Sequence, residues 1–455
     1  MSIQKSTEPE NQPRPARRAL LTGGAVGLAA AAGATLGGVL PASAQTNRQD
    51  AAQSIPNGET SWINVQAYGA DPTNANDSTT PFRNALAAVA AAGGGVLYIP
   101  AGTYMIKGTV AWASADSLMI VGDGEDASVI NRTSTTPFHT FDIRHSGGVT
   151  IQNLAILNSV NATNFTDDQV GLYFEACNRV RLENVHINSS GNRVNIAVQL
   201  NDVNVTSIIG CDLRGYVNAL YISGGSAVID CIASAFFTNP GSGVTNSGNV
   251  AMIATAATLH LTNCETNGGD HGLVLNGSSG SDAFVFINDF EINNCMGSAV
   301  VLNYGSQFWA NQLWCSNQTI ANSAGAYSGI SVGSGYTGWM VIDNSTFQHY
   351  SATGITIQGG QSYWITNSSF SGCCGHADNI YYDIYLAGCS DVIISGCHFD
   401  IEPFNSMNTP NAAVCVSSGV SNVIITANQF ATSGYHTGPL INNATNVVTS
   451  ANLGA

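Results

Sequence analysis

Positive charge is scarce in this chain. Of its 455 residues only 13 are lysine or arginine, against 29 aspartates and glutamates, for a formal net charge of −16. Such a balance repels polyanions and leaves no basic stripe for phosphates, so nucleic acid is not an expected partner. Charge of either sign is sparse too, at 9% of residues. Long apolar runs are missing: the one candidate span, Gly24 to Leu40, is short and made largely of Gly and Ala, so no membrane association is expected of the mature form. What is abundant is glycine, at 49 residues, beside many Asn, Ser, Thr and Val, a composition that favours a long β-rich body.

The N-terminus carries "RRALLTGGAVGLAAAAGATLGGVLPASAQ". Arg17 and Arg18 ahead of a small-residue apolar run resemble a twin-arginine export signal, with Ala42-Ser43-Ala44 as cleavage site. The expected organisation is a signal peptide over 1–44, a linker over 45–60 and one domain over 61–455, secreted to the periplasm or beyond. Loss of Lys5, Arg14, Arg17, Arg18, Glu8 and Glu10 with the signal leaves nine basic and 27 acidic residues. Proteins on that route fold in a reducing cytoplasm, so the 11 cysteines are not expected to form an obligatory disulfide framework.

The domain opens with "WINVQAYGADPTNANDSTTPFRNALAAVAAAGGGVLYIPAGTYMIKG". A strand is predicted at Trp62–Ala67 and a helix near Pro81–Ala92, with Thr80 as N-cap and Gly93-Gly94-Gly95 as terminator. The "GA" turn, amphipathic helix and "GGGxxxxPAGTY" resemble the opening of pectate-lyase-superfamily proteins. That resemblance, carried by residues 62–110, implies an all-β fold: a right-handed parallel β-helix whose N-terminal α-helix caps an otherwise open sheet edge.

From residue 138 to 448 a repeat supports regular coils independently. Segments such as "VTIQNLAI", "VRLENVHI", "LHLTNCET", "MVIDNSTF" and "VIISGCHF" recur at spacings of 20 to 33 residues. Their fifth position reads Asn153, Asn184, Gly210, Asp230, Asn263, Asp289, Gln312, Asn344, Asn367, Gly396 and Ala427, a column read as structural. The sixth reads Leu154, Val185, Cys211, Cys231, Cys264 and Phe290, which makes cysteine a small core hydrophobe rather than a metal ligand. The second position faces outward and ends in Phe286, Trp309, Val341, Trp364, Ile393 and Ile424, an uncharged stripe that wants cover. A homotrimer packed through it is one expectation; a covering loop and sugar stacking are the others.

The superfamily binds extended glycans along the outer groove of its first sheet, so a polysaccharide is the expected partner. The turn before that sheet supplies Asp168, Arg193, Tyr216, Asp270-His271 and His349-Tyr350. Asp212, Glu265 and Glu291 share an outward position, and Glu265 and Glu291 fall on adjacent coils, where backbones about 4.8 Å apart allow the carboxyl separations of glycosidases. Asp270, His271, Glu265 and Glu291 are therefore the candidate catalytic set. Arg193, Tyr216, Asp212, and Arg144 beside Glu175 are candidate substrate contacts.

No complete signature of a characterised activity is present. "GDHG" only echoes the Gly-His-Gly of polygalacturonases, and the Tyr-Gly-Phe-Asp-Pro-His-Glu core of mannuronan C5-epimerases is missing. The arginines end at Arg214, and Lys107 is the one lysine after the signal. That tilts the reading toward carboxylate-based hydrolysis or glycosyl transfer without a required cofactor. β-Elimination from a uronate polymer, where calcium would enter, is the alternative, and a non-catalytic glycan-binding shaft like those of phage tailspikes is a second.

Overall fold

The computed structural model describes residues 62–454 except 135, 160–168, 189–193, 239–247, 253–255, 278–281, 318–325, 375–378 and 402–408. The chain divides into two units, 1–51 and 52–455, and every described residue belongs to the second. The expected signal and linker, Asp168 and Arg193 thus lie outside the described residues.

The second unit winds as a right-handed parallel β-solenoid of about 13 turns. Thirteen short strands, from Val110–Ala113 to Leu440–Asn442, stack in strict chain order into one sheet. A second sheet of 24 strands forms the other two sides of each coil. Twelve steps of about 4.8 Å carry the smaller sheet over roughly 58 Å. Alternation decides which side chains enter the core: in Val170–Glu175, Leu172 and Phe174 are buried while Tyr173 and Glu175 are half-exposed on the other face.

The larger sheet bends at a single residue in each coil. From Asn153 to Ala451 that residue is left-handed, with φ between 48° and 68°. Asparagine and glycine tolerate this conformation best, which is why Asn153, Asn184, Asn263, Asn344, Asn367, Gly210 and Gly396 hold the corner. One coil departs from the sequence alignment. Asp230 pairs with Ser207 and His260 on the preceding strand segment, and the corner falls at Ala233, φ 49°. Cys231 accordingly lines up with Ile208 and Leu261, three positions earlier than expected.

The helix runs from Thr79 to Ala91, with Ser78 rather than Thr80 as its N-cap. Asp77 Oδ1 accepts from Thr79 N at 2.9 Å and supplies a capping contact that Ser78 does not make. Phe82, Ala85, Leu86 and Val89 recur at helical spacing and enter the core at the N-terminal end. Trp62–Asn64 is a strand, and Val65–Tyr68 is a 3-10 turn rather than its continuation.

All 11 cysteines are free and buried. Burial pushes their thiols up, to about 12 at Cys211 and Cys295. Farther inside the C-terminal coils, Phe347, Phe370, Phe399 and Phe430 stack with ring centroids 5.1, 5.0 and 4.9 Å apart.

One ionisable group sits against this grain. Asp383 is 1% exposed, its Oδ2 has no hydrogen-bond partner, and burial raises its carboxyl well above the usual range, beside Cys373, Asp400 and Tyr435. The folded chain therefore keeps a proton that the unfolded chain releases above about pH 4, and raising the pH favours unfolding until the folded pKa is passed. As the pH rises above about 4, stability should fall by up to about 1.4 kcal/mol per pH unit from this group until its folded pKa is passed. Asp383→Asn should flatten that slope, measured as urea midpoints across the pH range; an unchanged slope would show that Asp383 is charged in the fold.

Candidate functional site

On the outer face of the 13-strand sheet the early coils carry a continuous polar network. Register places Asp142, Tyr173, Gln199 and Tyr221 in one column, and Arg144, Glu175, Asn201 and Ser223 in the next outward one. Arg144 binds Asp142 in bidentate fashion, at 2.7 and 3.0 Å, and reaches Glu175 at 2.6 Å with its third nitrogen. Tyr173 Oη donates to Glu175 at 3.1 Å, and Asn201 and Ser223 extend the chain over two further coils. His139 stacks on the Tyr173 ring at 4.7 Å. The expected Arg144–Glu175 contact is thus present, but Asp142, Tyr173 and Asn201 were missed. Their signal was the outward phase of strands already recognised.

Asp212 faces outward as expected and is held by Arg214 at 2.9 and 2.7 Å, with His186 Nδ1 3.9 Å away. The Arg214 guanidinium also lies 4.9 Å over the Phe237 ring. Hydrogen bonding to Asp212 raises the Arg214 pKa, and Asp142 does the same for Arg144, so both stay protonated. Tyr216 is half-exposed in the turn feeding the 13-strand sheet. Tyr350, by contrast, is 1% exposed and belongs to the core, and His349 beside it is 8% exposed.

Asp270 and His271 lie in the turn 268–272, four strands beyond Glu175 on the same sheet, or about 19 Å. The surrounding glycines are dictated by space. Gly268 and Gly269 have φ of 77° and 82°, and a Cβ on Gly269 would meet Thr238 Oγ1 at 2.2 Å. A Cβ on Gly272 would meet Ile292 at 2.5 Å. His271 folds over the next coil: a Cβ on Gly297 would fall 2.4 Å from the imidazole Cε1. Its Nδ1 donates to the Ser298 carbonyl at 2.8 Å, which leaves Nε2 as the lone-pair nitrogen of the neutral ring. Burial holds the His271 pKa below its ordinary value of 6.5, with the Ser298 bond and Asp270 opposing.

Glu265 and Glu291 are in register on neighbouring strands of the larger sheet, as the spacing predicted. Glu265 is exposed, and Glu291 accepts from Asn293 Nδ2 at 2.6 Å. Glu291 and His271 therefore direct their bonds to Asn293 and Ser298 rather than to each other. Among the described residues no group of three or more His, Cys, Asp or Glu is arranged to hold a metal ion. A depression of ≈ 530 Å³ on the larger sheet among Thr150, Arg179, Arg181 and Ser207 has neither histidine nor carboxylate in its lining.

The model of the family described as rhamnogalacturonase A/epimerase, pectate lyase-like, matches residues 62–341, more than half of the chain. The protein belongs to this family. Within the pectate-lyase-like fold, tailspike protein 3 of bacteriophage CBA120 is similar over 86% of this chain and 61% of its own, with TM-score 0.63 and 14% identity. Gene product 12 of bacteriophage phi29 gives 0.62 and 14% over 86% and 56%. The Agl-KA catalytic domain gives 0.50 and 15% over 88% and 69%. The chain thus spans about three fifths of the two phage proteins. No curated protein matches by sequence.

The contact between His271 and Gly297 is directly testable. Gly297→Ala should displace the ring and cost about 1–3 kcal/mol by overpacking. The imidazole NMR titration should then move from below 6.5 toward that value; an unmoved titration would mean that the ring does not pack on Gly297.

Proposed function

We propose that the protein binds an extended polysaccharide along the outer face of the 13-strand sheet and cleaves its glycosidic bonds beside Asp270 and His271. The observation that carries this reading is the four-coil network from Asp142 and Arg144 to Ser223, a row of hydrogen-bonding and aromatic side chains repeating at strand spacing. Glu265 and Glu291 are the proposed carboxylate pair. Their register on adjacent strands suits one to the role of acid and the other to that of base or nucleophile. His271 Nε2 is positioned as a proton acceptor, with Asp270 beside it.

Hydrolysis is favoured over elimination because Arg144 and Arg214, held protonated by their carboxylates, are poor bases. Secretion by the twin-arginine route fits a polymeric substrate and is part of the proposal.

On a glycan panel, new reducing ends should appear without the ultraviolet absorbance of unsaturated products. His271→Ala, Asp270→Asn, Glu265→Gln and Glu291→Gln should each lower the rate about a hundredfold or more. Because the base form of His271 is required and its pKa is lowered, the acid limb of the rate profile should lie below pH 6.5. Full activity in both the Asp270 and His271 variants would remove this site.

A second reading rests on the uncharged stripe. Phe286, Trp309, Val341, Trp364, Ile393 and Ile424 stand in register on six successive strands, and Trp309, Trp364 and Ile424 remain 46%, 37% and 41% exposed. Such a face supports side-by-side association, as a homotrimeric glycan-binding shaft like a tailspike. Sedimentation should then report a trimer that Trp309→Glu with Trp364→Glu converts to monomer; a monomeric wild type would end this reading.

A further inference from the structure

A cleft of ≈ 370 Å³ lies toward the C-terminal end of the 13-strand sheet, on the face that carries the polar network. Its floor includes Ser331, Thr356 and Tyr385, which continue the outward column that begins at Asp142. Tyr381, Tyr382 and Ile380 close its far side, with Ile380 55% exposed. We propose that this cleft binds a short run of uncharged sugar residues, a subsite region for the neutral part of the glycan whose cleavage was proposed above, and the inference rests on that reading.

The chemistry of the lining identifies the ligand class. Every described lining residue is Ser, Thr, Ala, Gln, Ile or Tyr, so none carries charge at neutral pH. The Tyr382 and Tyr385 rings stack at 5.4 Å and 12°, an apolar platform of the kind that pyranose C–H faces cover. Around it stand hydroxyls with donor and acceptor capacity. Tyr385 Oη accepts from Ser417 at 3.1 Å and so keeps its own proton for a ligand, while Tyr382 Oη accepts from Asn411 at 3.5 Å and is also bonded to the Cys415 thiol. Ser328 Oγ and Thr356 Oγ1 lie 3.0 Å apart. A uronate here would meet no arginine or lysine, because the last cation in the sequence is Arg214, on a much earlier coil.

Continuity with the proposed cleavage position supports one ligand across both. Extending the strand register two residues toward the turn puts His271, Ser298, Ser328, Thr353 and Tyr382 on successive coils. His271 donates to the Ser298 carbonyl, and Ser298 Oγ accepts from Ser328 N at 3.1 Å. The cleft thus begins one coil beyond His271. The charged cluster around Arg144 lies on the opposite side of His271. A glycan threading this face meets ionic groups on one side of the scissile bond and neutral groups on the other.

The test is calorimetric binding of neutral gluco-, galacto- and manno-oligosaccharides of four to six units to the full chain, compared with oligogalacturonate of equal length. At least one neutral oligosaccharide should bind, and oligogalacturonate at least about tenfold more weakly. Tyr382→Ala and Tyr385→Ala should each weaken neutral binding about tenfold, while Tyr385→Phe, which keeps the ring, stays within about threefold. Thermal melts confirm folding of each variant. Unchanged affinity in both alanine variants, equal binding of oligogalacturonate, or failure of every neutral oligosaccharide to bind overturns the inference. Cleavage that persists with unchanged affinity in Tyr385→Ala removes the cleft and leaves the proposed activity standing. Intact cleft binding with full activity in His271→Ala removes the cleavage position and leaves the cleft.

Discussion

The interaction on which everything else depends is the backbone hydrogen-bond ladder between successive coils. It fixes each coil about 4.8 Å above the last and forbids any coil from shifting alone. Side chains far apart in sequence become neighbours at that single spacing. The same repeat stacks Phe347 on Phe370, aligns Glu265 with Glu291 and brings Arg144 to Glu175. Core packing, charge pairing and the candidate site are three readings of one periodicity.

That periodicity explains what was legible in the sequence. The corner residue recurs as Asn or Gly because left-handed backbone is cheapest there, so most of the column could be aligned without coordinates. The outward stripe and the Glu265–Glu291 pairing follow from the same alignment, while the capping helix was legible from its own start and stop signals near residues 79–95. It failed at residues 228–237, where the corner is Ala233 and Asp230 mimics the missing amide three residues early. The strand residues Tyr173 and Asn201 announced their outward face but not their partners. Those depend on where each variable turn returns the chain, and the turns feeding the 13-strand sheet range from 215–217 to 317–329. The tyrosine cleft was hidden for that reason.

Charge is distributed along the solenoid rather than around it. Arg144, Arg181 and Arg214 all lie in the earlier coils, and each is bound to a carboxylate of its own or the adjoining coil. Their positive charge is spent inside the protein, which fits a face that orders hydroxyls better than it attracts polyanions. Arg132 differs from these three. It is 2% exposed, donates to the Phe138 carbonyl at 2.6 Å, lies 4.3 Å over the Phe138 ring, and burial lowers its pKa to about 9. Beyond Arg214 the solenoid offers ligands only neutral or acidic groups and histidine.

The packing of His271 against Gly297 couples two positions in different coils. The imidazole occupies the volume that any other residue at 297 would need for its Cβ. A lineage that keeps the histidine must keep the glycine, and one that loses the histidine is free to fill that space. The two positions should therefore change together among relatives. In that light Gly297, which touches no proposed substrate, becomes a marker of whether a given relative retains the histidine-bearing turn at all.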